Sequence, residues 1–260
     1  MHYAHLLFNL LNLKQVASDM RLNHHIRLWL LLICTISGIS AYGQMNNPYV
    51  DDKLIHFGFS LGLNFMGYNV TDTNTPIDGE VYHARVSSLM PGCSVGFVTD
   101  LRLSRHLNLR FTPTLHFGEK TITYKTESGK PVEGILGNNE KVSVLALPID
   151  IPLYLKWSAE REKNYRPYLI AGGGAHYDFG GDKEKPIYTK KWDFFVAFGL
   201  GCDLYMSWFK LCPEIRYQIG FNNVLTPVTD RPQLAVQNAF YTNALQRLTN
   251  QMITLTFNFE

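Results

Sequence analysis

Residues 142–177 contain two long runs in which apolar residues alternate with polar or small residues, joined by a short charged turn. Successive strand side chains point to opposite faces, so this pattern predicts a β-hairpin with one apolar face. The first run is about twice the usual length of five or six residues for a strand in a soluble protein. That length suits a tilted strand that crosses a membrane. The outward face of the first run carries Leu145, Leu147, Ile149, Ile151, Leu153, Leu155 and Trp157.

Similar alternating runs follow one another along the chain, separated in turn by long polar segments and by very short turns. The long segments include residues 119–140 and 222–248, whereas residues 104–106 and 206–208 form short turns. This alternation is typical of outer-membrane barrels with long outer loops and short periplasmic turns. The sequence therefore predicts an all-β fold: an eight-stranded up-and-down antiparallel transmembrane β-barrel over residues 55–260, with both termini periplasmic.

The N-terminal region resembles an export signal. Basic residues precede the apolar run 28–39, and Ala41 and Gly43 are the small residues that a signal peptidase requires. We expect a signal peptide over residues 1–43, with the signal proper at 20–43 and residues 1–19 as an over-long start, followed by a polar lead-in over residues 44–54. The expected location is the outer membrane, with its lipid as surroundings.

The inward-facing positions of the predicted strands carry charges of both signs. An eight-stranded barrel is only wide enough for its own side chains to fill it, so these charges predict an ion-paired structural plug rather than a channel. The predicted network consists of Asp100, Arg102, Arg110, Asp150, Lys156, Asp203, Lys210, Glu214 and Arg216. Lys120 and Asp193 share the inward parity.

No motif in the chain indicates catalysis or a bound cofactor. His56, His116 and His176 share the inward parity, but no Ser/His/Asp spacing marks a hydrolytic site and no Cys/His spacing marks a zinc site. The net charge is +2 without a basic stripe, which argues against a nucleic-acid partner. We therefore expect no enzyme activity, catalytic residue, metal, cofactor or small-molecule substrate.

Two further features make local predictions. Prolines inside strands remove ladder donors, and a closed barrel has no edge to hide them, so we expect bulges, especially over residues 148–152. Aromatic residues near the strand ends predict two interfacial girdles. These are Trp157, Tyr205, Trp208 and Phe259 at the short-turn end, and Tyr68, Tyr177, Trp192 and Phe221 at the other.

Several of these runs, in the same order, resemble the PorT (SprT) family of outer-membrane barrels. They are HFGFSLGLN (56–64), PGCSVGFVTDLRL (91–103), LNLRFTPTLHFG (107–118), LPIDIPLYLKW (147–157), RPYLIAGGG (166–174), GLGCD (199–203), PEIRYQIG (213–220) and ITLTFNFE (253–260). The resemblance implies a component of the type IX secretion system, needed for export of proteins with C-terminal sorting domains. Other components of that system are the implied partners, and the family supplies no catalytic residues.

Two alternatives stay open. One is a small structural or adhesive outer-membrane barrel unrelated to secretion. The other is a soluble lipocalin-like binder, which the outward Phe and Leu residues oppose because such a barrel places its apolar residues inside.

Overall fold

The computed structural model describes residues 46, 49–72, 82–86, 90–126, 141–180, 187, 189–226, 230 and 245–260. The predicted signal peptide, residues 1–43, and most of the 222–248 segment lie outside these residues. Among the described residues, no helix is long and apolar enough to cross a membrane.

A short 3₁₀ helix, Val50–Asp52, precedes eleven strands. The strands are β1 (Ile55–Asp72), β2 (Tyr82–Val86), β3 (Met90–Arg102), β4 (Leu107–Phe111), β5 (Thr114–Thr126), β6 (Lys141–Ala146), β7 (Pro148–Ser158), β8 (Tyr165–Asp178), β9 (Trp192–Tyr205), β10 (Lys210–Gly220) and β11 (Leu245–Phe259).

The eleven strands form a closed ring of eight. The order is β1, β11, β10, β9, β8, β7, then β4 with β5, then β3, which pairs with β1 to close the ring. Three of the eight strand positions are each occupied by two consecutive strands: β2 with β3, β4 with β5, and β6 with β7. The two members of each pair lie against the same neighbouring strand. Every pairing is antiparallel, which confirms the predicted fold.

Short turns at residues 103–106, 159–164 and 206–209 lie at one end of the ring, here called the short-turn end. The opposite end is called the loop end. One strand is longer there than the sequence pattern indicates, since β5 continues to Thr126, whereas β6 begins at Lys141, where the predicted loop ends. The predicted 119–140 loop is therefore too long at its start, and β2 is a further strand that the sequence pattern does not predict.

The two faces of the wall differ as the alternation requires. In β7 the inward Tyr154, Lys156 and Ser158 are buried, whereas the outward Leu153 and Leu155 are half exposed. The same alternation in β9 exposes its outward aromatic and aliphatic side chains. A continuous apolar outer face of this kind is stable in lipid rather than in water.

The predicted bulge at residues 148–152 is wrong. The pairing of β4 and β5 with β6 and β7 keeps one register from Lys141 to Trp157. By count, Thr112 faces Pro152 and Pro113 faces Ile151, so the register runs past both prolines without an extra residue.

The predicted girdles are wrong for two of their members. Tyr68 and Tyr205 are buried inside the ring, because each has the inward parity of its strand. Trp157, Trp192, Trp208 and Phe221 are exposed on the outside. Tyr177 lies against Trp192, with ring centroids 4.7 Å apart.

Candidate functional site

The interior near the short-turn end holds an ion-pair cluster centred on Arg110. Its guanidinium donates to Asp100 at 2.7 and 3.0 Å, to Glu214 at 3.2 Å and to Glu260 at 2.5 Å. The Tyr168 hydroxyl donates to the same Glu214 oxygen at 2.7 Å. A planar guanidinium with its fork of donors can satisfy several carboxylates at once, which a lysine cannot.

Three further cations complete this cluster. Lys156 donates to both oxygens of Asp203, at 2.7 and 2.8 Å, and Lys210 lies 2.5 Å from Glu260. Arg216 lies 3.0 Å from Glu214. Four cations therefore face four carboxylates in a buried space, an arrangement that is neutral overall. Neutrality is necessary because an unpaired charge in a low-dielectric interior costs several kcal/mol.

Seven of the nine residues predicted to form the lumen network lie in this cluster: Asp100, Arg110, Lys156, Asp203, Lys210, Glu214 and Arg216. Glu260 also belongs to it, although the prediction omits it. Its position could have been found, because Glu260 continues the inward parity of Thr254, Thr256 and Asn258.

Asp150 belongs to a second cluster, in the middle of the interior. Its two carboxylate oxygens lie 2.5 Å from His176 Nδ1 and 3.2 Å from His116 Nε2. Ser94 Oγ lies 2.8 Å from the other ring nitrogen of His116, and Gln218 donates to Asp150 at 3.0 Å. No spacing in the sequence marks this group, because its members come from five different strands.

This middle cluster has the components of a Ser-His-Asp hydrolytic site but no room for a substrate. All of its members are buried, and the void beside His116 and Asp150 measures about 10 Å³. That volume holds a single water molecule at most. The arrangement can position protons and rigidify the interior, but it cannot admit an ester or a peptide.

Lys120 marks a third polar layer nearer the loop end. It donates to Asn250 at 2.9 Å and to Asp178 at 3.5 Å, and its ammonium lies 5.0 Å from the Tyr68 ring centroid. Above this layer an apolar cluster fills the interior. It consists of Tyr68, Ile122, Tyr124, Ile187, Val224, Leu225, Leu245 and Leu248. Within the described residues, the loop end is thus filled by side chains.

Residues 49–54, here called the N-terminal strap, lie at the short-turn end of the ring. The Asp51 carboxylate accepts from the Tyr205 hydroxyl at 2.8 and 2.9 Å and from Arg161 at 3.4 Å. Arg161 also packs on the Tyr205 ring, with its central carbon 3.5 Å from the centroid. These contacts fasten the strap to the turn between β7 and β8.

Arg102 lies at this mouth and not in the lumen network. It donates to the Asp51 carbonyl at 2.7 Å and to the Asp52 carboxylate at 3.3 Å, in a partly exposed position. Its place as the last residue of β3 explains this, because the strap meets the strand end there. The prediction that it joins the interior network is therefore wrong.

No group of three His, Cys, Asp or Glu side chains is placed to hold a metal ion in the described part of the chain. The interior polar groups bind one another instead.

A closed antiparallel ring with an apolar outer face and a filled, ion-paired interior defines a small outer-membrane β-barrel protein. Residues 42–226 match the family model described as outer membrane protein beta-barrel domain, and the chain belongs to that family.

Solved structures with similar folds include Neisserial surface protein A (NspA), at 10% identity and a TM-score of 0.40, covering 79% of this chain and 98% of that chain. OprG from Pseudomonas aeruginosa is similar at 11% identity and a TM-score of 0.40, covering 79% and 91%. AlkL is similar at 14% identity and a TM-score of 0.34, covering 85% and 90%. No curated protein matches the chain.

Proposed function

We propose that this barrel is a non-enzymatic accessory component of the type IX secretion system, required for export of proteins with C-terminal sorting domains. The proposal rests on the resemblance of the runs at 91–103 and 107–118 to the PorT family. Those runs form β3, β4 and the start of β5, and they contribute Asp100 and Arg110 to the interior cluster. Membership of the outer-membrane barrel family is consistent with this role.

The filled interior limits how the barrel can act in secretion. Charged side chains occupy the short-turn half, the Asp150 cluster occupies the middle, and apolar side chains fill the loop end. Neither a folded protein nor an extended chain fits through such a lumen. The barrel must therefore act through its rims or its lipid-facing surface, as a docking partner rather than as a conduit.

We place the short-turn end and both termini in the periplasm, because outer-membrane barrels have short turns on that side. On this orientation the turn between β7 and β8 faces the periplasmic components of the machine. Glu160, Glu162 and Lys163 are exposed in that turn, whereas Arg161 turns back to the strap. We therefore assign docking to the exposed side chains of Glu160, Glu162 and Lys163. The 222–248 segment is a second candidate, on the other side of the membrane.

The test is a deletion of the gene in the native bacterium, with assay of cargo in the culture supernatant and the periplasm. We expect cargo to accumulate in the periplasm and to return to the supernatant on complementation. Normal export from the deletion strain would refute the secretion role and leave a small structural or adhesive barrel.

The docking surface is tested by complementing that strain with Glu162→Lys/Lys163→Glu, which keeps the net charge and leaves the strap contacts of Arg161 intact. The control is Lys190→Glu/Lys191→Glu, which reverses two exposed charges at the loop end and is the larger change, since it lowers the net charge by four. We expect export to fall only in the first variant, at equal amounts of folded barrel. Equal export from both variants would exclude this turn as the docking surface.

A further inference from the structure

A cavity of about 590 Å³ opens at the short-turn end, between the N-terminal strap and the start of β10. Its wall combines cationic or donor groups, Lys53 and His56, with the aromatic side chains of Tyr49, Phe57, Trp208 and Phe209. This volume lies within the range of small-molecule sites, about 300–1,000 Å³. Lys210 and Glu260 of the ion-pair cluster line its inner side.

His56 is the most informative residue of the cavity. Its side chain is inward and only 8% exposed, yet it has no hydrogen-bond partner within the described residues. Because His56 lines the cavity, its imidazole is available to a polar ligand there. Lys53, at the cavity edge, is exposed and makes no ion pair to any residue that the structure describes.

The backbone of β1 adds donors on the same side. Pairing with β3 begins at Ile55, whereas pairing with β11 begins at Phe59. Arg102 donates to the Leu54 carbonyl, so alternate residues from Leu54 bond to β3. The N–H groups of Ile55 and Phe57 therefore point to the cavity. The nearby Glu260 carboxylate is already paired with Lys210 and Arg110.

The apolar part of the wall continues into the lipid-facing surface. Trp208 is 94% exposed and Phe57 is 71% exposed. Phe259 joins them to the outer face of the barrel, since its ring lies 4.8 Å from that of Phe59 and 5.9 Å from that of Phe209. A ligand here meets donors at one end and membrane-facing aromatic rings at the other.

We propose that this cavity is a phospholipid site: Lys53, His56 and the β1 backbone bind the headgroup phosphate, and the acyl chains lie along Phe57, Phe209 and Trp208. The lipid comes from the leaflet at the short-turn end. Free phosphate would leave the aromatic wall unused, whereas a phospholipid has the chemistry of both parts. The site is independent of the secretion role, because its residues are not in the turn between β7 and β8.

The test uses native mass spectrometry of the full-length mature barrel in detergent, titrated with phosphatidylglycerol. We expect one lipid to bind, and Lys53→Glu to weaken binding by about ten- to a hundredfold, the value of one charge-assisted hydrogen bond. The control, Lys191→Glu, changes an exposed lysine at the loop end and should bind as the wild type does.

A second variant, His56→Phe, separates a built site from loosely adsorbed lipid. Lipid that merely surrounds the barrel is insensitive to a buried imidazole, so weaker binding by folded His56→Phe supports the site. The folded fraction is read from the mobility difference between boiled and unboiled samples on a denaturing gel. Because Lys53 is exposed, its variant remains informative even if His56→Phe does not fold.

Three results would overturn the proposal. The first is unchanged lipid binding by Lys53→Glu. The second is displacement of the lipid by inorganic phosphate at the same concentration as the lipid, which would show that acyl chains contribute nothing. The third is capture of a peptide strand along Ile55 and Phe57 in preference to lipid.

Discussion

Replacement of Arg110 by methionine tests whether the interior ion-pair cluster holds the barrel together. Methionine has a comparable unbranched side chain, so the main change is loss of one buried positive charge. Three carboxylates lose a hydrogen bond, but two keep a close cation: Arg216 lies 3.0 Å from Glu214 and Lys210 lies 2.5 Å from Glu260. Asp100 keeps only Lys156, at 3.8 Å.

Removing one partner of a buried pair costs about 3–5 kcal/mol, because the remaining charge is left uncompensated. Since the other carboxylates retain cations, we expect the lower part of that range, about 3 kcal/mol. Asp100 is the least compensated, so adding Asp100→Asn should restore neutrality and recover about 1–2 kcal/mol, a coupling typical of residues in contact. Unfolding by urea from lipid vesicles, followed by tryptophan fluorescence, measures these free energies.

Arg105→Met is the matched control. Arg105 donates to Glu160 at 3.0 Å, a distance comparable to those of Arg110, but the two side chains are 74% and 65% exposed. A surface pair contributes about 0–1 kcal/mol. A loss of less than 1 kcal/mol in Arg110→Met, or no recovery with Asp100→Asn, would refute the view that charge balance stabilises the interior.

Three further substitutions test the wall, the lipid face and the strap. Gly172→Ala places a methyl group 2.8 Å from Tyr154 Cα and should lower stability by about 1–3 kcal/mol, whereas Ala171→Val on the outer face should not; thermal unfolding distinguishes them. Phe198→Arg, at the centre of β9 on the lipid face, should cost about 2–4 kcal/mol in vesicle unfolding, and an equal cost for an arginine at the rim would contradict a membrane-spanning band. Asp51→Ala removes the acceptor that fastens the strap, so limited proteolysis should cleave within residues 49–54 faster at unchanged barrel stability; unaltered cleavage would show that other contacts hold the strap.

The alternating pattern determined which face of the wall each residue occupies, and this much was available from the sequence. A two-residue period fixes the side of every position once one position in a strand is known, so the inward charges of β3, β4, β7, β9 and β10 could be identified without coordinates. The same rule places Tyr68 and Tyr205 inside. The girdle prediction failed for them because it used position along the strand and disregarded parity.

The inward or outward parity of the residues does not show which charged side chains contact one another. Arg110 and Glu214 are separated by 104 residues and lie on strands that are not neighbours, so their contact depends on the tilt of the strands and on the register of every pairing around the ring. The positions of the prolines have the same origin. Pro113 and Pro152 appear independent in the sequence, and only the register of two strands shows that they lie at adjacent positions across one strand pair.

The short-turn end carries two separate functional surfaces. The charged turn at Glu162 and Lys163 supports the proposed docking to secretion components, whereas the cavity at Lys53 and Trp208 supports lipid binding. Lys53 and Trp208 are exposed and lie outside the interior cluster, as do Glu162 and Lys163, so each surface can be altered without loss of the fold. If docking requires the barrel to sit at a fixed depth in the membrane, Lys53→Glu will reduce both lipid binding and cargo export. If docking depends on the turn alone, Lys53→Glu will reduce lipid binding and leave export intact, and the charge swap in the turn will have the opposite effect.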